Sequence, residues 1–437
     1  MGEVNLSKKN NNNNIFYRYQ LASKILSHKI DLIVSELVNS MGDTPVEHVK
    51  GRIKSFDSIV DKLNRDGYDF NVDNMKKCLN DVVGIRIVCC FRNDLDRIIR
   101  LINNDPDIKV IKTKNYIDNP KDNGYFSYHM IVEVPVVNHN NNITDYVRSE
   151  IQVRTLAMDL WASLQHKISY KKNVNLSTES IEKIEEAARV TYKIDRELEY
   201  IIENLGSNTE VARIDDNFDY SASEVISDSV MYKYKAAQNK LMAEIGNMDE
   251  RFKLREEDNP IEHVKTRLKT PESICRKLSL MKCDVTEENI NSCLNDVVGV
   301  RIVCSFMSDL DEVIRTIKSC PSIVVVDEKD YISNPKKNGY SSYHIIAKVP
   351  VYNIDGNLEY VNTEIQVRTK AMNMWASLEH KLCYKKHVSE EIKMLLKQYA
   401  EKISEMDKWF DEIINEVKRD NSVYNNGVKS KRLVKNS

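Results

Sequence analysis

The chain carries the same chemically loaded segments twice, in the same order. Asn80 to Val88 (Asn-Asp-Val-Val-Gly-Ile-Arg-Ile-Val) returns as Asn295 to Val303, Lys121 to His129 returns as Lys336 to His344, and Ser149 to Thr155 returns as Thr363 to Thr369. The separation is identical from Arg52 to Arg267, Asp81 to Asp296 and Tyr125 to Tyr340, and one residue shorter from Glu150 to Glu364, as a single loop deletion produces. With 437 residues, length alone suggests roughly three domains, but the repeat sets two. Only two domain-sized copies exist, so this is a fused duplicate and not a solenoid of short units.

The expected organisation follows from the repeat. Residues 1–14, rich in Asn, read as a disordered arm; 15–205 form a first domain; 206–229, polar and acidic, a linker; 230–420 a second domain; and 421–437 a flexible basic tail. Leu21, Ile25, Ile33, Val34 and Leu37 keep helical spacing ahead of Arg52, with a counterpart helix beginning near Tyr232. Val82 to Phe91 is an apolar run suited to a buried strand, and Tyr125 to Val134 and Glu150 to Arg154 supply further strands. Alternation in Glu150-Ile-Gln-Val-Arg154 groups Glu150, Gln152 and Arg154 on one strand face, opposite Ile151 and Val153. Asn123-Gly124 and Asn338-Gly339 are turn dipeptides that place a Tyr at a strand mouth. A helix then carries Trp161 and His166, matched by Trp375 and His380. Each copy closes on a long helix with an apolar stripe, as in Leu396, Tyr399, Ile403, Met406, Phe410, Ile413 and Val417. That stripe packs either on its own domain or on the other helix or another chain.

Charge is balanced, with 30% charged residues and a net of -2, so no global basic field marks a nucleic-acid partner, while polyphosphate ligands stay compatible. Nine cysteines without paired spacing, and no apolar leader or membrane-length run, imply a reducing, cytoplasmic setting with no membrane partner. Cys78, Cys89, Cys90, Cys293 and Cys304 read as small buried hydrophobes. The nine histidines form no His-Glu-x-x-His pattern of a metal hydrolase, whereas carboxylate-held Mg2+ stays open.

Asp81 with Glu150, and Asp296 with Glu364, lie beside strands expected to be buried, where an unpaired charge is costly. Two readings stand: structural ion pairs with Arg86 or Arg154, or a cation site. Arg52, Lys54, Ser58 and Lys62, repeated as Arg267, Lys269, Ser273 and Lys277, stand where a loop enters a helix; they form either a solvated face or a triphosphate site. Acids for Mg2+, cations for phosphates and an aromatic at a turn meet the requirements of phosphoryl-type transfer.

These segments resemble the synthetase domain of the RelA/SpoT family, most closely its small stand-alone members. The motifs are Arg-x-Lys, Asp-x-x-Gly-x-Arg, Lys-x-x-Gly-Tyr-x-Ser-x-His, Glu-Ile-Gln-x-Arg-Thr and Trp-Ala-x-x-x-His, in order, from about Val46 to Lys172 and again from Ile261 to Lys386. The resemblance implies an α/β fold of two tandem nucleotidyltransferase-like domains, each a mixed sheet flanked by helices. It implies Mg2+-dependent transfer of the ATP β,γ-pyrophosphate to the 3′-hydroxyl of GDP or GTP, making (p)ppGpp, without hydrolase activity. On that basis Arg52 and Arg86, like Arg267 and Arg301, sandwich adenine, while Lys54, Ser58 and Lys62, like Lys269, Ser273 and Lys277, take ATP phosphates. Asp81 and Asp296 are Mg2+ ligands, and Glu150 and Glu364 bind Mg2+ and act as the base. Tyr125 and Tyr340 stack guanine; Lys121, His129, Gln152 and Asp159, and Lys336, His344, Gln366 and Asn373, complete the acceptor site. Stand-alone relatives also imply a homo-oligomer through the C-terminal helices.

Three positions depart from the family pattern. An expected Arg after the turn Tyr is Phe126 in one copy and Ser341 in the other, a guanine-reading Asn is Asp159 in the first, and the Glu before the helix His is Gln165 there but Glu379 in the second. The second copy is therefore the better candidate for activity. Two alternatives remain: a relative that modifies a tRNA 3′ end or makes an adenine alarmone, and a copy reduced to a nucleotide sensor.

Overall fold

The computed structural model describes residues 2–41, 44–138, 143–170, 176–206, 226–255, 259–383 and 388–434. The chain divides into two compact units, Met1–His166 with Ile184–Glu203, and Lys167–Lys183 with Asn204–Ser437. Most of the expected linker lies outside the described residues.

The first copy runs α1 (Gly2–Met41), β1 (Val46–Ile53), α2 (Phe56–Arg65), α3 (Val72–Cys78), β2 (Val83–Cys89), α4 (Arg92–Asn104), β3 (Lys109–Asn115), β4 (Tyr128–Asn138), β5 (Ile143–Thr155), α5 (Leu156–Tyr170) and α6 (Thr178–Gly206), the end of α5 and both ends of α6 being grouped with unit 2. The series repeats as α7 (Asp228–Arg255), β6 (Ile261–Leu268), α8 (Pro271–Leu280), α9 (Glu287–Cys293), β7 (Val298–Cys304), α10 (Met307–Lys318), β8 (Val324–Asp330), β9 (Tyr343–Tyr352), β10 (Leu358–Thr369), α11 (Lys370–Cys383) and α12 (Glu390–Val434). Each unit has one five-stranded sheet, ordered β1-β2-β5-β4-β3 and β6-β7-β10-β9-β8. Only β2 with β5 and β7 with β10 pair in parallel; the remaining pairs are antiparallel, so the sheets are mixed as expected.

The apolar run after Asp81 forms β2, shorter than expected because Phe91 already caps α4. In α1 the buried face is Tyr19, Ala22, Leu26, Ile30, Ile33 and Leu37, so Leu21, Ile25 and Val34 flank it. Helix α1 takes in residues 2–14, where a disordered arm was expected, and α12 continues through 421–434, where a flexible tail was expected. Once an amphipathic segment is nucleated by packing, each further helical residue adds a hydrogen bond, so propagation carries polar flanks along. The α12 stripe is buried from Leu396 to Val417, and α12 packs on α10 and α11 of its own unit. Cys89, Cys90 and Cys304 are buried, while Cys78 and Cys293 are only partly so. No described helix is long and apolar enough to cross a membrane.

Candidate active site

Strand alternation and register place one polar row across each sheet. Lys50 of β1 faces Arg86 of β2, which faces Gln152 of β5, then His129 of β4 and Lys114 of β3. In unit 2 the row is Lys265, Arg301, Gln366, His344 and Lys329. One step along lie Arg52, Gly84 and Glu150, or Arg267, Gly299 and Glu364. Ile151 and Val153 point into the core on the opposite face. Arg52 runs over Gly84: a Cβ there would meet Arg52 Nε at 3.4 Å, so the Arg52 stem crosses β2 in van der Waals range.

Asp81 ends the loop before β2. Lys54 and Lys62 both donate to it, Lys62 Nζ at 2.8 Å from Oδ1. In unit 2 Lys269 Nζ and Lys277 Nζ each lie 2.7 Å from an Asp296 carboxylate oxygen. Burial raises the pKa of Asp81 and of Asp296, but the lysine hydrogen bonds outweigh it and hold both below the usual Asp range. The same burial lowers Lys54 and Lys269 in spite of their Asp partners. Ser58 and Ser273 sit in the first turns of α2 and α8, where Ser55 and Thr270 cap the helices by accepting from their backbone N–H groups at 3.3 Å.

Glu150 is held differently. Gln152 Nε2 donates to Oε2 at 2.7 Å, and His129 Nδ1 lies 3.1 Å from Oε1. His129 Nε2 is 2.8 Å from Tyr125 Oη, which also accepts from Arg154 Nη2 at 2.8 Å. The tautomer with hydrogen on Nδ1 satisfies every bond: Tyr125 donates to His129, and His129 donates to Glu150. The second unit repeats the chain as Tyr340, His344 and Glu364, with 2.9 Å and 3.1 Å links. Burial raises Glu150 and Glu364, and the His and Gln bonds overcome it, leaving both below the ordinary Glu range. Asp81 pushes Glu150 upward and Asp296 does the same to Glu364, so the two acids of each unit feel each other's charge. Among the described residues neither acid accepts a guanidinium, which removes the reading of these acids as ion pairs with Arg86 or Arg154.

The turn carrying Tyr125 is closed by Gly124 N–H to Lys121 O at 2.8 Å, with Gly124 at φ +73°. Lys121 Nζ lies over the Tyr116 and Tyr125 rings at 4.8 and 5.0 Å, and Lys336 over Tyr331 and Tyr340 at 4.8 and 4.9 Å. Tyr116 and Tyr331 were missed by the motif reading, although both stand at matching positions in the two copies. Gln165 and Glu379, which differ in charge, both tie the helix to this turn, through Asn123 O and Asn338 Nδ2 respectively.

Asp159 and Asn373 are buried beside arginines of the site. Asp159 is 2% exposed and takes Arg86 Nη1 at 3.1 Å and Arg154 Nη1 at 3.2 Å. Asn373, 1% exposed, accepts from Arg301 Nη1 at 3.2 Å. Both side chains brace arginines of the sheet through Oδ1. Phe126 is buried against Tyr192, with ring centroids 5.7 Å apart, so it offers no phosphate contact.

A family model described as the region found in RelA / SpoT proteins matches residues 51–175 and again 266–389. The chain belongs to the RelA/SpoT family. GTP pyrophosphokinase YwaC of Bacillus subtilis (strain 168) is 41% identical over 180 residues, covering 41% of this chain and 85% of that protein. GTP pyrophosphokinase YjbM of the same organism is 33% identical over 186 residues, covering 42% and 86%. The structure of small alarmone synthetase 1 from Bacillus subtilis bound to its product pppGpp is similar at 30% identity, covering 46% of this chain and 99% of that one, with a TM-score of 0.40. YwaC and YjbM each match over about one unit's length, and the family region occurs twice in this chain.

Proposed function

We propose that this chain is a GTP pyrophosphokinase that moves the β,γ-pyrophosphate of ATP to the 3′-hydroxyl of GDP or GTP, yielding (p)ppGpp and AMP. The observation that carries the reading is the Tyr–His–Glu chain set beside a lysine-clamped Asp on one sheet face, built the same way in both units. A ribose hydroxyl is a poor nucleophile and needs a base that is ionised at neutral pH. Glu150 and Glu364 meet that condition because their pKa values are depressed. The carboxylate takes the hydroxyl proton as the O3′–Pβ bond forms and the bond from Pβ to the oxygen it shares with the α-phosphorus breaks. His129 and His344 fix the carboxylate through Nδ1–H and are fixed in turn by Tyr125 and Tyr340.

Mg2+ suits this arrangement. A Glu close enough to an Asp for the Asp charge to raise its pKa gains from a shared cation, and Mg2+ keeps waters and substrate oxygens in its remaining positions, so two protein ligands are enough. Asp81 and Glu150, or Asp296 and Glu364, would hold it, where it neutralises charge on the transferred group. Lys54 and Lys62, already converging on Asp81, and Ser58 at the α2 start face the ATP phosphates, as Lys269, Lys277 and Ser273 do in unit 2. Arg52, lying across Gly84, and Arg86 offer planar faces to adenine, and Tyr125 with Lys121 offers a stacking surface and a cation to the guanine nucleotide.

The units are not equal. Arg86 is bound to the buried Asp159 carboxylate where Arg301 is bound to the Asn373 amide oxygen, so unit 2 is the stronger catalyst. The test is incubation with labelled ATP and Mg2+ against GDP, GTP, GMP, ATP and tRNA, using Glu150→Gln, Glu364→Gln and the double variant. Label on a guanine nucleotide that the double variant fails to produce supports the reading. Label confined to tRNA or an adenine nucleotide, or full activity in the double variant, overturns it.

A further inference from the structure

In unit 1 three side chains fill the space behind the Tyr125 turn. Arg92 Nε donates to the buried Asp195 at 2.6 Å, the Arg92 guanidinium stacks 5.7 Å from the Tyr192 ring, and Tyr192 packs on Phe126. Thr155 Oγ1 holds the other Asp195 oxygen at 2.5 Å. Unit 2 keeps the acid and its threonine, with Thr369 Oγ1 2.6 Å from Asp407 Oδ2, but Arg92, Phe126 and Tyr192 are replaced by Met307, Ser341 and Ser404. All three replacements line a cavity of about 240 Å³ that reaches Gly339, Trp375 and Asp407. Trp375 and Asp407 are each 3% exposed, and Trp375 Nε1 and Asp407 Oδ1 have no hydrogen-bond partner. The indole N–H is equally open in unit 1, at Trp161 Nε1, whereas the open Asp407 oxygen has no counterpart at Asp195 and is costly unless something fills the cavity.

We propose that this cavity binds a small guanidinium- or amidinium-type cation, whose planar N–H edge takes the place beside Asp407 that the Arg92 guanidinium occupies beside Asp195. The ligand's body lies where Phe126 and Tyr192 stand in unit 1. Ser404 and Lys408, both exposed, border the entrance. The site lies behind the turn of Tyr340, since a Cβ on Gly339 would overlap Ala400 and approach Trp375 Nε1 at 3.6 Å. An occupant therefore braces that turn from the side away from Glu364. Burial, opposed by the Thr369 bond and helped by Asp411, pushes Asp407 up to about 7. The other charged groups beside it are Asp411 and Lys408, and binding of a cation weakens as the pH falls below that value and Asp407 protonates.

Calorimetric titration of the full chain with butylguanidinium, butylammonium and neutral butylurea tests this site independently of pyrophosphate transfer. Saturable binding of butylguanidinium at one site, about ten-fold or more tighter than butylurea and weakened at least ten-fold by Asp407→Asn and by Met307→Arg, is the expected result. Met307→Arg supplies the guanidinium internally, as unit 1 does, and circular dichroism with a melting curve confirms that it folds. Equal binding of the urea, binding that survives both substitutions, or no saturable binding of either cation overturns the proposal.

Discussion

His129 Nδ1 stands 3.1 Å from Glu150 Oε1, and His344 Nδ1 stands the same distance from Glu364 Oε1. Each His is also fastened at Nε2 by a Tyr hydroxyl, so the carboxylate has one orientation toward the cleft. A base held this way loses its function when the charge is removed and the shape kept. Glu364→Gln is expected to lower the kcat of unit 2 by about 10²- to 10⁴-fold, the usual contribution of a general base. Steady-state kinetics in a Glu150→Gln background isolate unit 2, and unchanged circular dichroism separates the effect from misfolding.

The histidine sets the pH response. Glu150 and Glu364 titrate below the ordinary Glu value because His and Gln bonds overcome burial, so activity should persist in acid until the pH falls through those depressed values. Replacing His344 by Ala removes the largest opposing cause and leaves burial, which moves the acid limb of the pH–rate profile upward. The same groups link to stability. A carboxyl with a depressed native pKa contributes stability that is fully present above its unfolded value and is lost as the pH drops through the native one. Asp81 and Asp296 behave likewise, and Lys277→Met, by removing one cause of the depression, should lower stability to urea at neutral pH and flatten the further loss of stability as the pH falls below about 4.

Much of this geometry was legible before the fold was known. β2 and β7 are largely buried and read as apolar runs, and the Glu-Ile-Gln-Val-Arg alternation set Glu150 and Gln152 on one face. Edge strands β1 and β3 escaped, because their outward residues are charged and exposed, as an edge open to solvent permits. The Lys54 and Lys62 grip on Asp81 joins three separate elements, and no spacing announces it. Asp159 illustrates the limit of a motif: its position was readable, but its engagement by Arg86 and Arg154 depends on tertiary packing.

That engagement makes a stability prediction. Asp159→Ala removes the carboxylate that two adjacent guanidinium groups share, and removal of one partner from a buried pair costs about 3–5 kcal/mol. Asp159→Asn should cost much less, because Asn373 already serves that role for Arg301. Chemical denaturation followed by circular dichroism distinguishes the two variants, and equal losses would contradict the account.

The acceptor turn depends on a backbone that only glycine adopts cheaply. Gly339 has φ +84°, and its Cβ would collide with Ala400; Gly356 has φ +81° with nothing within 4 Å. Gly356→Ala should carry only the left-handed strain of about 1–2 kcal/mol, read as a lower melting temperature. Gly339→Ala adds the clash and displaces Tyr340, so the KM for the guanine nucleotide should rise by about ten-fold or more, with the ATP KM little changed.

Gly84 and Gly299 separate close packing from conformational strain, because neither has positive φ. An added Cβ meets Arg52 Nε at 3.4 Å or Arg267 Cγ at 3.5 Å, which is ordinary contact, so Gly299→Ala should change the ATP KM by no more than about two-fold. Valine extends further methyl groups into the path of the guanidinium stem. Gly299→Val should therefore push Arg267 off the β7 surface and raise the ATP KM by about ten-fold while sparing that of the guanine nucleotide. Were the valine variant to lose affinity for both substrates equally, Arg267 would be supporting the sheet and not the adenine ring.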